Sequence, residues 1–265
     1  MSQQTTEDDT LNTMSDAVRQ KNSQASRASD TSYIVESHKF YLKQAKSRLL
    51  GQLRDIPDAA KAGAEDWLAD NEVVEREEWE HSLPALFNNI LMNLLIETRL
   101  SIAASIYHRW EKDLKKKIIG TGRVFHEIKK GRQVVRDINR LNHKDLLDVL
   151  SELGCEIRNT DIGRKLDECR LVVNLYKHGA GNAFDEIRNS HPEYLSSYGE
   201  ASGSGGGGTA TPEGICISDE HLDAFSEAIV AFWKKWSDQV DKNARQDPRQ
   251  GECSGHALDE GVAPV

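Results

Sequence analysis

Between Leu86 and Ile118, apolar side chains return at steps of mostly three and four: Leu86, Phe87, Ile90, Leu91, Leu94, Leu95, Ile102, Ile106, Trp110, Leu114 and Ile118. An α-helix turns once every ~3.6 residues, so this spacing lays one apolar face along many turns. Pro84 stands just before the run, as at a helix start, and Gly120 just after it, as at a stop. The spacing predicts one long central helix, with Ser101 or Ser105 as places where it could break. An apolar face of that length has to be buried, so the rest of the chain must supply partners.

Those partners also read as helices, since no convincing alternation of β-branched residues is present. A weaker helix is expected from Ser32 to about Asp55, closed by Pro57, and another over Ala59–Ala69. Arg123–Arg140 reads as a basic helix with Gly131 inside it. Asn142 can cap a short helix His143–Leu153, with Gly154 at its end. Asp161 precedes a helix Gly163–His178, ended by Gly179. Ser218 is a good N-cap for the last helix, and Asp219 and Glu220 lie in its first turn, where the helix dipole favours acids. Its stripe of Leu222, Phe225, Ile229, Phe232, Trp233, Trp236 and Val240 is the clearest amphipathic pattern in the chain. The fold class is therefore all-α, over residues 32–242.

Composition sets the limits of that domain. Residues 1–31 and 243–265 are polar segments with few apolar side chains and are expected to be disordered. Residues 199–214 are too rich in glycine for a helix or strand and read as a flexible internal loop. Asn88, Asn89, Asn93, Glu97 and Arg99 within the long apolar run argue against a membrane span. No basic start followed by an apolar run marks a secretory signal. Four scattered cysteines without a CxxC pair suggest neither a disulfide framework nor a zinc site, and point to a reducing cytoplasm. The net charge of −9 conceals a basic segment. From Arg109 to Arg140, eleven Lys or Arg stand against four acids, a local +7 that leaves −16 elsewhere. Such a surface can attract a polyanion at one place.

Two polar stripes carry the functional reading. On the helix Gly163–His178 apolar residues cover more than half of the circumference. Arg170, Asn174 and His178, spaced four and four, stack in the remaining sector beside Asp167 and Lys177. A polar stripe on a mostly buried helix either completes a structural network or lines a cleft. On the long helix His108, Glu111, Lys112 and Lys115 share one side. Glu111 can pair with Arg170 or Lys177 if the two helices pack antiparallel, either as a buried pair that fixes register or as part of a site.

The segment EKDLKK at Glu111–Lys116 resembles the Glu-x3-Lys-Arg motif of HEPN-superfamily domains, with Lys116 in the Arg place. The stretch from Asp167 to Ile187, including NLYKHG, resembles their late helix, and Ile217–Trp236 their closing helix. The usual spacing of Arg and His is four to six residues, whereas Arg170 and His178 are separated by seven. The resemblance implies an antiparallel helical bundle that forms a homodimer. It also implies a metal-independent ribonuclease working as a toxin or anti-phage effector, with an antitoxin or other protein partner, and no cofactor. In that chemistry the RNA's own 2′-hydroxyl is the nucleophile. His178 would move the protons, Arg170 or Lys177 would stabilise the phosphorane, Asn174 would bind the phosphate or orient the imidazole, and Glu111 would hold Arg170. Lys177, Lys115, Lys116 and Lys112 would bind the RNA backbone. The remaining readings are a non-catalytic module that binds RNA, a nucleotide or a protein, and a structural oligomerisation domain. The other histidines, His38 and His143 among them, read as ordinary surface residues.

Overall fold

The computed structural model describes residues 31–72, 76–129, 131–195 and 214–241. The expected disordered N-terminal segment up to residue 30, the C-terminal tail and the glycine-rich loop up to residue 213 lie outside the described residues. Within them the chain is all-α, with seven α-helices and one small two-stranded hairpin. Helix α1 spans residues 31–48 and α2 Ile56–Asp70. Then come α3 Arg76–Gly120, α4 His143–Glu152, α5 Asp161–His178, α6 Asn182–Ser190 and α7 Asp219–Trp236.

Helices α1, α3, α5 and α7 form a four-helix bundle whose directions alternate. Ser101 touches Tyr176 while Tyr107 meets the first half of α5, so α3 and α5 run antiparallel. Arg99 bonds Asp219 and Trp110 packs on Phe232, so α3 and α7 run parallel. His38 bonds Ser226 and Lys46 bonds Asp223, which sets α1 antiparallel to α7. The core between them holds Ile106, Trp110, Leu114 and Ile118 of α3, Leu166, Cys169 and Val172 of α5, and Phe225, Ile229, Phe232 and Trp233 of α7. Every residue of the expected α7 stripe is buried. Ser218 caps that helix as expected, and His221 returns the bond, its Nδ1 accepting from the Ser218 amide.

Several boundaries differ from the sequence expectation, each for a physical reason. Helix α3 begins at Arg76, not after Pro84, and continues without a break past Ser101 and Ser105. Pro84 sits inside it, at a cost of one hydrogen bond that the surrounding turns absorb. Its 45 residues span about 67 Å at 1.5 Å per residue. Pro57 opens α2 rather than closing α1, since proline fits the first helical turn, where its missing N–H is not needed. The largest correction concerns Arg123–Arg140, which is no helix. It forms strands β1 His126–Lys129 and β2 Arg132–Val135, followed by a 3-10 turn at Ile138–Arg140. Lys129 pairs with Arg132 across a two-residue turn in which Gly131 takes φ +73°, a conformation that suits glycine in tight hairpins. Phe125 anchors the base of the hairpin in the core, and its carbonyl accepts from the Arg136 amide.

The N-terminal half of α3 leaves the bundle with α2 as an antiparallel helical arm. Ala64, Leu68 and Leu83 form a small second cluster there, with Trp67 and Phe87 against it. Trp67 and Trp79 stack at 5.7 Å. Beside this contact Leu86, Ile90 and Leu94 stay 48%, 53% and 46% exposed, one stripe at steps of four. By length and composition α3 is also apolar enough to cross a membrane, and only 28% of its most apolar window is buried.

Candidate functional site: a cation-lined cleft between α3, α4 and α5

A cleft of about 620 Å³ opens where α3 and α5 face each other and the start of α4 closes one side. That volume suits a small ligand or one or two nucleotides of a longer one. From α3 come Tyr107, His108 and Glu111, and from α5 Gly163, Arg164, Asp167, Arg170 and Asn174. Asn142, His143 and Lys144 at the beginning of α4, together with Arg158, complete the polar lining. Four cations therefore stand against two carboxylates, on a protein whose net charge is −9.

Local sequence explains the placement. Asn142 accepts from the Asp145 amide and starts α4 where His143 turns inward, and Thr160 accepts from the Gly163 amide and starts α5. Gly163 is needed because α5 begins directly against the preceding loop. A Cβ there would sit 2.0 Å from the Ile157 carbonyl oxygen.

The accessible end of the cleft holds a chain of charge around one imidazole. The His108 side chain is 43% exposed, and its Nδ1 lies 3.6 Å from the Glu111 carboxylate. Its Nε2 lies 3.3 Å from Lys177 Nζ. An ammonium group can only donate, so Nε2 must accept and the ring proton belongs on Nδ1, facing Glu111. The imidazole is thereby fixed in one tautomer, with its unprotonated nitrogen toward Lys177. Glu111 also accepts from Lys115 at 2.7 Å, and Lys115 reaches the Asn139 carbonyl at 3.3 Å.

The inner end is more enclosed. His143 Nδ1 meets the Tyr107 hydroxyl at 3.1 Å, while Nε2 is buried without a hydrogen-bond partner, 3.6 Å from Asp167. Burial lowers the His143 pKa, and the nearby Arg170 charge lowers it further against the opposing pull of Asp167. Burial, and next the Glu111 charge, raise that of Tyr107, which stays a phenol. Arg170 is half-buried and donates to Asp167 at 2.6 Å, with Glu186 4.0 Å away. Burial disfavours its charge, but the bond and charge of Asp167 outweigh that and raise its pKa.

Of the residues expected to form a site, Glu111, Arg170 and Asn174 line the cleft together. Lys177 reaches it through His108, and His178 is exposed beside Lys177 at the end of α5, outside the lining. The expected links from Glu111 to Arg170 or Lys177 take another form. Glu111 holds Lys115 within its own helix, and Arg170 holds Asp167. Nor does Arg170 extend toward His178. Side chains on a helix lean toward its N-terminus, and Asp167 waits there one turn back. Lys112 and Lys116 are exposed, the latter 3.8 Å from Asp113, and neither lines the cleft.

Two histidines expected at the surface are inside. His143 belongs to the cleft floor, and His38 is buried with Nε2 2.9 Å from Ser226 Oγ. Their own helices gave no signal, because what covers each ring comes from another element. His108 was legible as part of the α3 stripe, but its partner Lys177 was not. Among the described residues no group of three His, Cys, Asp or Glu is placed to hold a metal ion. No family model matches the chain, and no curated protein or solved structure matches it.

Proposed function

We propose that the protein is a metal-independent endoribonuclease of the HEPN kind, serving as a toxin or defence effector. One observation supports this above the others: an accessible imidazole, His108, is held between a carboxylate and an ammonium group at the mouth of a cation-lined cleft. In this reading Arg170 and Asn174 receive a phosphate of the RNA, and Lys177 turns from His108 to the scissile phosphate. The freed Nε2 of His108 takes the proton of the adjacent 2′-hydroxyl, whose oxygen attacks phosphorus. His178, next to Lys177, protonates the leaving 5′-oxygen. The products are a 2′,3′-cyclic phosphate and a 5′-hydroxyl, and no metal is required because the nucleophile is part of the substrate. Glu111 stabilises the imidazolium that forms, as a carboxylate does in other acid–base dyads. A second copy would cover the Leu86, Ile90 and Leu94 stripe, and the homodimer is part of the proposal.

The test is cleavage of single-stranded RNA in chelator by the wild type and by His108→Ala and His178→Ala. General acid–base groups contribute roughly 10²–10⁴-fold, so each variant should lose at least ~10²-fold in rate. Cleavage that is equal in all three proteins, or absent from the wild type across varied RNAs, would remove the proposal. The bond of Arg170 to Asp167, on the side away from His178, favours a second reading, an RNA-binding cleft without turnover. Tight, salt-sensitive binding with no product would select that reading.

A further inference from the structure

The β1–β2 hairpin has no role in the cleft, yet it is built unlike the rest of the molecule. Residues 123–136 carry Arg123, Lys129, Lys130, Arg132 and Arg136 against Glu127 alone, a local +4 on a chain of net −9. The register pairs His126 with Val135 and Ile128 with Gln133, so these four side chains share one face. All four are exposed, Ile128 to 72% and Val135 to 64%. An isolated two-stranded ribbon is only marginally stable in water, so the uncovered pair Ile128 and Val135 offers a ligand a face to cover. The tip bears Lys129 and Arg132 opposite each other, and Glu127 offsets only Lys129, at 2.5 Å. Alternation along the strands puts Lys129 and Arg132 on the opposite face, so the ribbon joins an apolar and imidazole face to a cationic tip, which fits a strand that lays bases on the first and turns its anionic backbone past the second.

The hairpin is also tied to the cleft. The chain runs from β2 through the turn at Ile138–Arg140 directly into Asn142 and His143 of the cleft wall. Lys115, bonded to Glu111 of the cleft, holds the Asn139 carbonyl of that turn. Each strand is four residues long, about 13 Å at ~3.3 Å per residue, and none of its residues lines the cleft.

We propose that this hairpin is a second RNA-binding element, a basic ribbon that takes single-stranded RNA leading into or out of the cleft. Lys129 and Arg132 contact phosphates, and His126, Ile128 and Val135 pack against bases. The proposal rests on the RNA reading of the cleft but not on cleavage there. Its test compares three full-length proteins: wild type, Lys129→Ala with Arg132→Ala, and Ile128→Ser with Val135→Ser. Binding of a labelled single-stranded RNA of about 20 nucleotides is measured across salt concentrations, after circular dichroism shows that each variant is folded. Losing two phosphate contacts should weaken binding and lower the salt slope by ~1.4, at ~0.7 per contact for single strands. The apolar pair should weaken binding with the slope unchanged, because base contacts release no counterions. Wild-type affinity and slope in both variants, the result that a protein-docking face would give, overturns the hairpin proposal. Cleavage of a dinucleotide, too short to span cleft and ribbon, should be the same in all three. If no protein cleaves it or any longer RNA, the nuclease reading fails while the binding comparison still decides the role of the hairpin.

Discussion

His38 makes the stability of the bundle depend on pH in a way that can be worked out in advance. The ring joins α1 to α7 through its bond to Ser226 and is only 3% exposed. Burial, helped by the charge of Arg109, pulls its pKa down from the ordinary 6.5 to about 4. Above pH 6.5 the ring is neutral in both folded and unfolded chains and contributes no pH dependence. As the pH falls below 6.5 the unfolded chain takes up a proton that the folded protein refuses until about pH 4. Stability therefore falls across that window, and at 1.36 kcal/mol per pH unit the loss amounts to about 3 kcal/mol. His143 shifts in the same direction, so the wild-type slope is not due to His38 alone. The variant His38→Gln isolates the effect, since its amide can still bond Ser226 but does not titrate. Urea unfolding followed by tryptophan fluorescence, with Trp110, Trp233 and Trp236 all in the core, should be run at several pH values from 7.5 to 4. The difference between the two proteins should shrink by about 3 kcal/mol toward the acid end. A difference that stays constant with pH would show that the buried ring is not what resists the proton.

Two further substitutions probe the cleft. Gly163→Ala places a methyl group 2.0 Å from a backbone oxygen that cannot swing aside, and it should destabilise the protein by roughly 1–3 kcal/mol or more, seen as a lower melting temperature. A wild-type melting temperature in this variant would mean that α5 does not start so close to Ile157. Tyr107→Phe removes the partner of His143 Nδ1 and leaves a second buried ring nitrogen unbonded, at a cost of about 1–3 kcal/mol in urea unfolding. No change would mean that water replaces the hydroxyl.

The readable parts of the sequence were those in which neighbours along the chain decide the outcome. Ser218 and Asn142 start their helices because a side-chain oxygen reaches an amide three residues on, and that reach is local. The stripe of α7 and that of α3 from Ile102 to Ile118 are legible for the same reason, whereas Leu86, Ile90 and Leu94 follow the same period and stay exposed, because burial there depends on what packs against the arm. The hairpin was lost because Lys and Arg are good helix formers and its alternation is short. The one local sign against a helix was Gly131, which breaks the run where the chain reverses. Pro57 and Pro84 misled in opposite directions, because proline both opens helices and, within a long one, is tolerated at the loss of a bond.

The site shows the same division more sharply. A helical wheel gives the angle of each side chain about its own axis, so Arg170 and Asn174 were found on one stripe and Glu111 on another. It does not say which way a long side chain bends or what stands opposite. Arg170 bends toward Asp167, within its own helix, and that choice was readable from the lean of helical side chains combined with an acid three residues earlier. What stands opposite His108 and His143 is set by the register of α3 on α5 and the approach of α4, which depend on the whole core. That register brings His108 to Lys177, the chain neighbour of the single histidine that the sequence singled out. The two assignments separate cleanly in the variant kinetics. If His178→Ala abolishes cleavage while His108→Ala leaves it intact, the stripe on α5 was sufficient and the α3–α5 contact only holds the helices together.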